Sequence, residues 1–289
     1  MTEMTLPGLF VAADRISARE QKTTLRFRKF ELTFLVTAVA FTQFTWISNG
    51  LNLPGLASFL LLLSAAAAKF LSLRATPEHD WYIARTVAES AKSHAWQYAV
   101  GGADYPMDDT DARTRYRSAL ADLQSSFHGL DVPTGTASSL VVTPWMDETR
   151  KLTMADRRGI YRLGRVADQQ CWYSRKSHWN RKRAKQWSNT LIVAELLAAL
   201  LSLMRALGWL AINWASLLSA GAAAVIAWQQ TKRYSELSES YALASHDLAI
   251  ADDNLNQASN EPEWAAAVLD SENALSRENK MWVERRPRP

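Results

Sequence analysis

The chain has 289 residues, of which 21% are charged, and a formal net charge of +4. Its mean hydropathy of −0.19 resembles that of a soluble protein, but its apolar residues are concentrated in two blocks. So mild a charge does not favour nucleic acid as a partner. Cys171 is the only cysteine, which excludes an intramolecular disulfide, and no His or Cys cluster has metal-ligand spacing. We therefore expect neither a metal nor a cofactor.

The first apolar block runs from Leu32 to Ala68 without a charged residue and is interrupted once, at residues 49–54. One crossing of a bilayer needs about 20 apolar helical residues. The block therefore predicts a hairpin of two transmembrane helices at about 32–72. Because residues 1–14 lack the basic and apolar regions of a signal peptide, we interpret the block as a retained anchor.

Cytoplasmic helices are predicted after this hairpin, over residues 78–128. The first covers 78–100 and ends at Gly101-Gly102, which is a common helix stop. The second is predicted from Asp108 to Phe127. Residues 131–152 are rich in Pro, Gly, Thr and Val near their start and are predicted to be a linker between two halves of the chain.

The second half begins with a predicted helix capped by Thr153, which continues unbroken through 153–186 into the second apolar block. That block, residues 186–230, contains only Glu195 and Arg205 as ionisable residues and is interrupted at Arg205-Ala206-Leu207-Gly208. It predicts a second hairpin at about 187–229.

The cytoplasmic helices after the second hairpin are predicted over 230–284. Residues Tyr234 to Asp253 contain neither Gly nor Pro and are predicted to extend the fourth span directly. A last helix is predicted from near Pro262 to Trp282.

Basic residues flank both blocks at their bases. They are Arg15, Arg19, Lys22, Arg26, Arg28 and Lys29 before the first block, Lys69 and Arg74 after it, Arg175, Lys176, Arg181, Lys182, Arg183 and Lys185 before the second, and Lys232 and Arg233 after it. The two interior turns carry only Arg205. The positive-inside rule then places both termini and the middle segment in the cytoplasm. The alternative, two buried hairpins in a soluble bundle, is disfavoured by this charge asymmetry.

The predicted fold class is therefore an all-α membrane protein with four transmembrane helices in two hairpins, whose long cytoplasmic extensions form a bundle. Its halves repeat one plan: a first unit over 1–130, a linker over 131–152 and a second unit over 153–289.

Three stretches of the chain carry an ordered combination of motifs. The stretch before the first hairpin carries Leu6-Pro7-Gly8-Leu9-Phe10, Ala12-Ala13-Asp14, Ser17 and Gln21; the one before the second carries Tyr161, Arg165, Asp168-Gln169, Trp172-Tyr173, Lys176 and Asn180; the helices after the hairpins carry Trp81, Arg85, Glu89, Lys92, Trp96-Gln97-Tyr98, Gly101, Glu272, Glu278 and Trp282. These motifs resemble the SLATT family of small helical membrane proteins and cover nearly the whole chain as two tandem units. The Pro-Tyr that usually follows the Gly-ended helix in this family is replaced here by Asp104-Tyr105-Pro106.

This resemblance implies an effector of a bacterial antiphage or conflict system. Such an effector would oligomerise in the inner membrane and form a pore when a nucleotide second messenger or a sensor protein activates it. A different class of function, a non-conducting membrane scaffold that recruits proteins through its cytoplasmic helices, remains open. An enzyme is not expected, because the chain has no P-loop, no GxGxxG, no nucleophile elbow and no catalytic residue in a recognisable pattern.

Glu195 is the main candidate for a pore-lining or gating residue, because a carboxylate inside the hydrocarbon costs several kcal/mol unless it faces protein or water. The alternative is a protonated glutamic acid with a structural hydrogen bond. Thr33 and Thr37 lie on one side of the first span and are weaker candidates, since transmembrane helices accommodate threonine readily.

Four residues of the helix over 78–100 are candidates for receiving the signal: Trp81, Arg85, Glu89 and Trp96. Trp81 or Trp96 could stack on a base and Arg85 could contact a phosphate, but helix packing with a solvated ion pair is the favoured interpretation. Arg181, Lys182, Arg183 and Lys185 are interpreted as an anchor for lipid headgroups, in preference to a nucleotide site.

Overall fold

The computed structural model describes residues 3–126 and 140–284 of the chain. Its elements are α1 (Gly8–Phe41), β1 (Ile47–Ser48), β2 (Leu51–Asn52), α2 (Leu53–Ala75), α3 (Pro77–Val100), α4 (Ala112–Ser126), α5 (Pro144–Arg150), α6 (Met154–Tyr161), a π-helical segment (Arg162–Ala167), α7 (Asp168–Ala206), α8 (Trp214–Lys232), α9 (Tyr234–Gln257) and α10 (Glu261–Glu284). The prediction of an all-α protein is confirmed.

The helix predicted over 78–100 is confirmed as α3, and Gly101 stops it with φ +76°, a conformation in which glycine is unstrained. Helix α4 begins at Ala112, four residues later than predicted. The reason is local: the side chain of Asp109 accepts a hydrogen bond from the backbone N–H of Asp111 at 2.9 Å and forms a turn before the helix. The predicted end of this helix and part of the predicted linker, residues 127–139, lie outside the described residues, and α5 occupies part of the rest.

The cap predicted at Thr153 is confirmed, because its hydroxyl accepts from the backbone N–H of Asp156 at 3.3 Å. The helix that follows is not unbroken as predicted. It changes to π-helical winding over Arg162–Ala167 before α7 continues to Ala206. Single π turns inside α-helices are rare and frequently mark functional sites.

A tight turn lies in the first apolar block, within the interruption noted at residues 49–54. Asn49 and Gly50 both have positive φ and join β1 to β2, whose residues Ile47 and Asn52 are paired. The side chain of Asn52 then caps α2. In the second block α7 ends at Ala206, and the side chain of Asn213 caps α8.

The fourth predicted span does not extend directly into α9, and that prediction was wrong. Arg233, with φ 51°, separates α8 from α9, just as Thr76, with φ 43°, separates α2 from α3. Left-handed backbone is unusual for residues with a β-carbon. The same break therefore follows the apolar block in both halves of the chain.

Two helical stretches of the described chain are long and apolar enough to cross a membrane, Leu53–Val100 and Met154–Ala206. Their apolar parts lie before Lys69 and after Lys185. Only 11% and 0% of their most apolar windows are buried, whereas the core helix of a soluble protein would be mostly buried. The other two predicted crossings, in α1 and α8, do not meet this criterion of length and hydropathy. The charge-free part of α1 is short, and α8 ends in polar residues.

Contacts divide the chain into two compact units, and each unit contains segments of both halves. The first, here called the core unit, consists of Met1–Glu20, Glu78–Ser177 and Glu239–Pro289; the second, here called the apolar unit, consists of Gln21–Pro77 and His178–Ser238. The core unit has a large buried aromatic core. In the apolar unit the buried apolar side chains, among the described residues, are Ala38, Ala65, Tyr234, Pro54 and Pro77, while most of its large apolar side chains are exposed.

Candidate functional site

A buried ion pair lies within the core unit. The guanidinium of Arg165 donates to Glu272 from Nε to Oε1 at 3.0 Å and from Nη2 to Oε2 at 2.7 Å. The hydroxyl of Tyr161 donates to the same Oε1 at 2.9 Å. The exposed fractions of the two charged side chains are 2% and 1%. Buried charges are tolerated only when they are paired and hydrogen-bonded, as these are.

The π-helical segment and α10 position this pair. Arg165 lies in the π-helical segment, one turn after Tyr161, so both side chains point to the same face and reach Glu272 of α10. The neighbouring Gly164 lies against Trp96, where an added β-carbon would be 3.2 Å from ring atom Cη2. The absence of a side chain at residue 164 thus lets α3 approach this segment closely.

The surroundings keep Arg165 charged and the neighbouring Tyr161 neutral. Burial by itself would lower the pKa of Arg165, but the charge of Glu272 raises it above its ordinary value. Burial, and secondly the charge of Glu272, raise the pKa of Tyr161 well above its ordinary value. Burial, and secondly the charge of Arg165, lower the pKa of the nearby Lys92.

A second arginine, Arg157, ties the C-terminal end of α3 to the rest of the core unit. Its Nη1 donates to the carbonyl oxygen of Val100 at 2.5 Å, and its Nη2 pairs with Glu261. The indole Nε1 of Trp264 donates to the same carbonyl at 2.8 Å. These donors satisfy a helix-end carbonyl that would otherwise lack a partner.

The structure does not gather the four predicted signal-receiving residues on one surface. Trp81 stacks on Tyr82 at 4.7 Å, and Arg85 forms an ion pair with Glu89 at 2.7 Å on a partly exposed face. Trp96, by contrast, is buried. Its ring packs edge to face against Trp145 and Tyr161, with centroids at 4.9 Å and 5.7 Å.

The predicted pore residues lie in the apolar unit. Glu195 is exposed between apolar side chains of α7 and has no hydrogen-bond or ion-pair partner among the side chains that the structure describes. Thr33 is exposed and Thr37 half-buried on α1, and the Thr37 hydroxyl donates to the carbonyl oxygen of Thr33 at 2.8 Å.

The four predicted anchor residues, Arg181, Lys182, Arg183 and Lys185, are all exposed on α7. The guanidinium of Arg183 lies over the ring of Trp179, 5.4 Å from its centroid. Cationic side chains that pack against an interfacial tryptophan suit a membrane surface.

Sequence reasoning did not select the buried arginine cluster as a site. Arg165 and Glu272 were noted only for the family resemblance, and Arg157 was not noted. The available signal was four arginines within one short helical stretch, at 157, 158, 162 and 165. The acidic partners of Arg157, Arg162 and Arg165 are about a hundred residues away in the chain, so local spacing cannot identify them.

Two family models match the chain in tandem. The model described as SMODS and SLOG-associating 2TM effector domain 3 matches residues 7–158, and the one described as SMODS and SLOG-associating 2TM effector domain 1 matches residues 161–282. No curated protein and no solved structure matches the chain significantly. The first match alone covers more than half of the sequence, and the two together confirm the repeated plan. The chain therefore belongs to the SLATT family of membrane effector domains, with two such domains in tandem.

Proposed function

We propose that this protein is an effector of a bacterial antiphage system, in which several copies assemble a pore that depolarises or permeabilises the inner membrane. Both family models that match the chain describe effector domains with two transmembrane helices. Two domains in tandem then have four crossings, arranged as two hairpins. The basic residues at both hairpin bases favour cytoplasmic termini.

The observation that carries the proposal is the environment of Glu195. On α7 it lies among exposed apolar side chains, including Ile192 and Leu196, of which 56% and 67% are exposed. In a bilayer a single copy would present this carboxylate to lipid, at a cost of several kcal/mol. A ring of copies removes that cost because it offers the carboxylate a water-filled path. A ring of acidic side chains favours cations over anions.

The threonines of α1 have a smaller part in this proposal. The hydroxyl proton of Thr37 is already used in the bond to the backbone of Thr33. A hydroxyl satisfied within its own helix does not require water. We therefore assign the ion path to Glu195 ahead of Thr33 and Thr37.

The trigger, a nucleotide second messenger or a sensor protein, is proposed to act on the core unit. The partly exposed face with Trp81, Arg85 and Glu89 is a part of α3 that a partner can reach. Trp96 is proposed to act only through packing, because its ring is enclosed by Trp145 and Tyr161.

The test is conductance of the purified full chain in planar bilayers, with and without a panel of cyclic nucleotides. Wild-type protein is expected to conduct, and Glu195→Gln to lower the permeability ratio of cations to anions without loss of expression. Glu239→Gln is the matched control, since Glu239 is also exposed and also lacks a partner among the described side chains. It is expected to behave as wild type.

Silent bilayers, together with an unchanged membrane potential in cells that express the activated system, would refute the pore. The alternative function, a non-conducting membrane scaffold, would then be favoured. Conduction with the same selectivity in wild type and Glu195→Gln would keep the pore and remove Glu195 from its lining.

A further inference from the structure

Two lysines from different helices of the apolar unit converge on one tryptophan. The ammonium nitrogen of Lys29, in α1, is 5.6 Å from the centre of the Trp228 ring, and that of Lys232, in α8, is 5.4 Å from it. The sum of these distances, about 11 Å, is the largest separation that the two nitrogens can have. Two residues that are 203 positions apart in the chain thus place their charges around one ring.

No acidic side chain neutralises the two ammonium groups within the described part of the chain. The nearest acid in sequence, Glu31, is engaged by Arg28, whose Nη1 donates to it at 2.8 Å. Arg28 also donates from Nε to the hydroxyl of Thr231 at 3.2 Å, so a third cation lies at the same end of α8. Lys29, Lys232 and Arg28 thus have only Glu31 as an acidic partner within the described residues, and the cluster has an excess of positive charge.

The ring of Trp228 compensates this excess only in part. A cation over an indole at an exposed position gains about 0.5–1 kcal/mol. An anion held between the two ammonium groups would interact with both at once. Trp228 is half-buried and close to the end of α8, where an amphipathic ring suits the boundary between hydrocarbon and water.

We propose that Lys29, Trp228 and Lys232 form a binding site for the phosphate of an anionic phospholipid. The proposal rests on the membrane location that the proposed function requires. The occupant is a lipid because the site adjoins an apolar surface: Ala224 and Val225, four and three residues before Trp228, lie on its side of α8 and are half-buried. An acyl chain can lie along this side of α8 while its headgroup contacts both ammonium groups. A soluble phosphate ester would gain only the polar contacts.

The site differs from the basic anchor on α7. The anchor residues extend along one helix, and a general attraction to an anionic surface explains them. Lys29 and Lys232 come from α1 and α8 and share one ring. A headgroup bound there would contact both helices and hold the middle of α1 to the C-terminal end of α8.

The test measures lipid adducts on the full chain, purified in mild detergent, by native mass spectrometry. Phosphatidylglycerol and phosphatidylcholine with the same acyl chains are offered separately. Wild type is expected to retain phosphatidylglycerol in preference, and Lys29→Gln/Lys232→Gln to lower its retention by about thirtyfold, given about 1 kcal/mol for each of the two lysines near an anionic headgroup. Lys182→Gln/Lys185→Gln removes the same charge from the anchor and is expected to keep most of the adduct.

Trp228→Leu keeps both lysines and is expected to cause a smaller loss. Equal retention by wild type and the Lys29→Gln/Lys232→Gln variant would overturn the proposal, and so would an equal loss in the anchor control. If the double variant loses its helical circular dichroism, the two single variants answer the same question with a smaller expected loss.

A third arm adds glycerol phosphate, which carries the same phosphate without acyl chains. If it binds wild type and removes the bound phosphatidylglycerol at equal concentration, the source is a soluble phosphate and the lipid proposal is overturned. Adducts are measured in detergent and need no conductance. Loss of lipid preference with conductance intact therefore refutes this site alone, and silent bilayers with the preference intact refute the pore alone.

Discussion

Replacing Glu272 by glutamine is expected to lower the free energy of unfolding by about 3 kcal/mol. The substitution keeps the size of the side chain and an oxygen that can accept from Tyr161. It removes the negative charge that faces the guanidinium of Arg165 at 2.7 Å. Because Arg165 is 2% exposed, water cannot take the place of that charge.

The magnitude follows from burial. Breaking a buried ion pair by removing one partner costs about 3–5 kcal/mol, since an uncompensated charge remains in the interior. The glutamine oxygen keeps part of the hydrogen bonding, so the lower end of the range applies. Replacing both partners together, as Arg165→Met/Glu272→Leu, leaves no buried charge. We expect this double variant to be more stable than Arg165→Met alone or Glu272→Leu alone, with a coupling energy between the two substitutions of about 3 kcal/mol.

A matched control lies three residues earlier. Arg162 contacts Asp252 through two hydrogen bonds, at 2.7 Å and 2.8 Å, but both side chains are 33% exposed. Water screens such a pair, and exposed pairs contribute about 0–1 kcal/mol. Arg162→Met is therefore expected to lower stability by less than about 1 kcal/mol.

The assay is urea unfolding of the full chain in detergent, followed by near-ultraviolet circular dichroism. Trp96 and Trp264 report on the pair directly, since both rings pack against Tyr161. Similar losses in Arg162→Met and Glu272→Gln would refute the reasoning from burial. A double variant whose loss equals the sum of the single losses would show that the two charges are not coupled.

Two further predictions concern the core unit. Gly101→Ala is expected to lower the free energy of unfolding by about 2–4 kcal/mol. Alanine is strained at φ +76°, and its β-carbon would be 2.7 Å from Cγ of Met107. Thermal unfolding measures the loss. Stability is also expected to fall as pH rises above about 10, because burial raises the pKa of Tyr105 and Tyr116 above the usual value. Above pH 10 the folded protein keeps protons that the unfolded chain releases. The stabilisation from the two tyrosines is therefore complete below pH 10 and is lost as the pH rises above it. The urea concentration at the unfolding midpoint, measured at increasing pH, tests this decline.

Each of these two predictions has its own control. Gly159→Ala, in helix α6 with nothing within 4 Å of the added β-carbon, is expected to raise stability by about 1 kcal/mol. A loss there equal to that of Gly101→Ala would contradict the argument from backbone and contacts. Tyr116→Phe removes one titrating group and is expected to make the decline above pH 10 shallower. An unchanged slope would mean that Tyr116 does not contribute to the decline.

Features that depend on neighbouring residues were predictable. The stop of α3 at Gly101, the cap at Thr153 and the turn at Asn49-Gly50 follow from the conformations and hydrogen bonds of a few adjacent residues. The family resemblance was also predictable, because it rests on ordered residues along the chain. The late start of α4 was missed, although it too is local, because the turn made by Asp109 competes with the helix.

The break between α8 and α9 was missed for a different reason. Nothing in the residues around Arg233 requires a left-handed backbone, and the sequence by itself favours a continuous helix. The corresponding break at Thr76 shows that the position within the repeated plan sets this conformation. Packing can impose an unfavourable backbone at about 1–2 kcal/mol, which local propensity does not register.

The sequence by itself determined that the chain is helical, that it carries two apolar blocks flanked by positive charge, and that its halves are alike. These properties follow from the amino-acid composition and from patterns of apolar and charged residues along the chain. Only the tertiary structure decided that Arg165 faces Glu272, that Trp96 is enclosed rather than exposed, and that Lys29 and Lys232 share Trp228. Each of these contacts joins residues far apart in the chain, and its energy arises from burial and charge that exist only after the helices have packed.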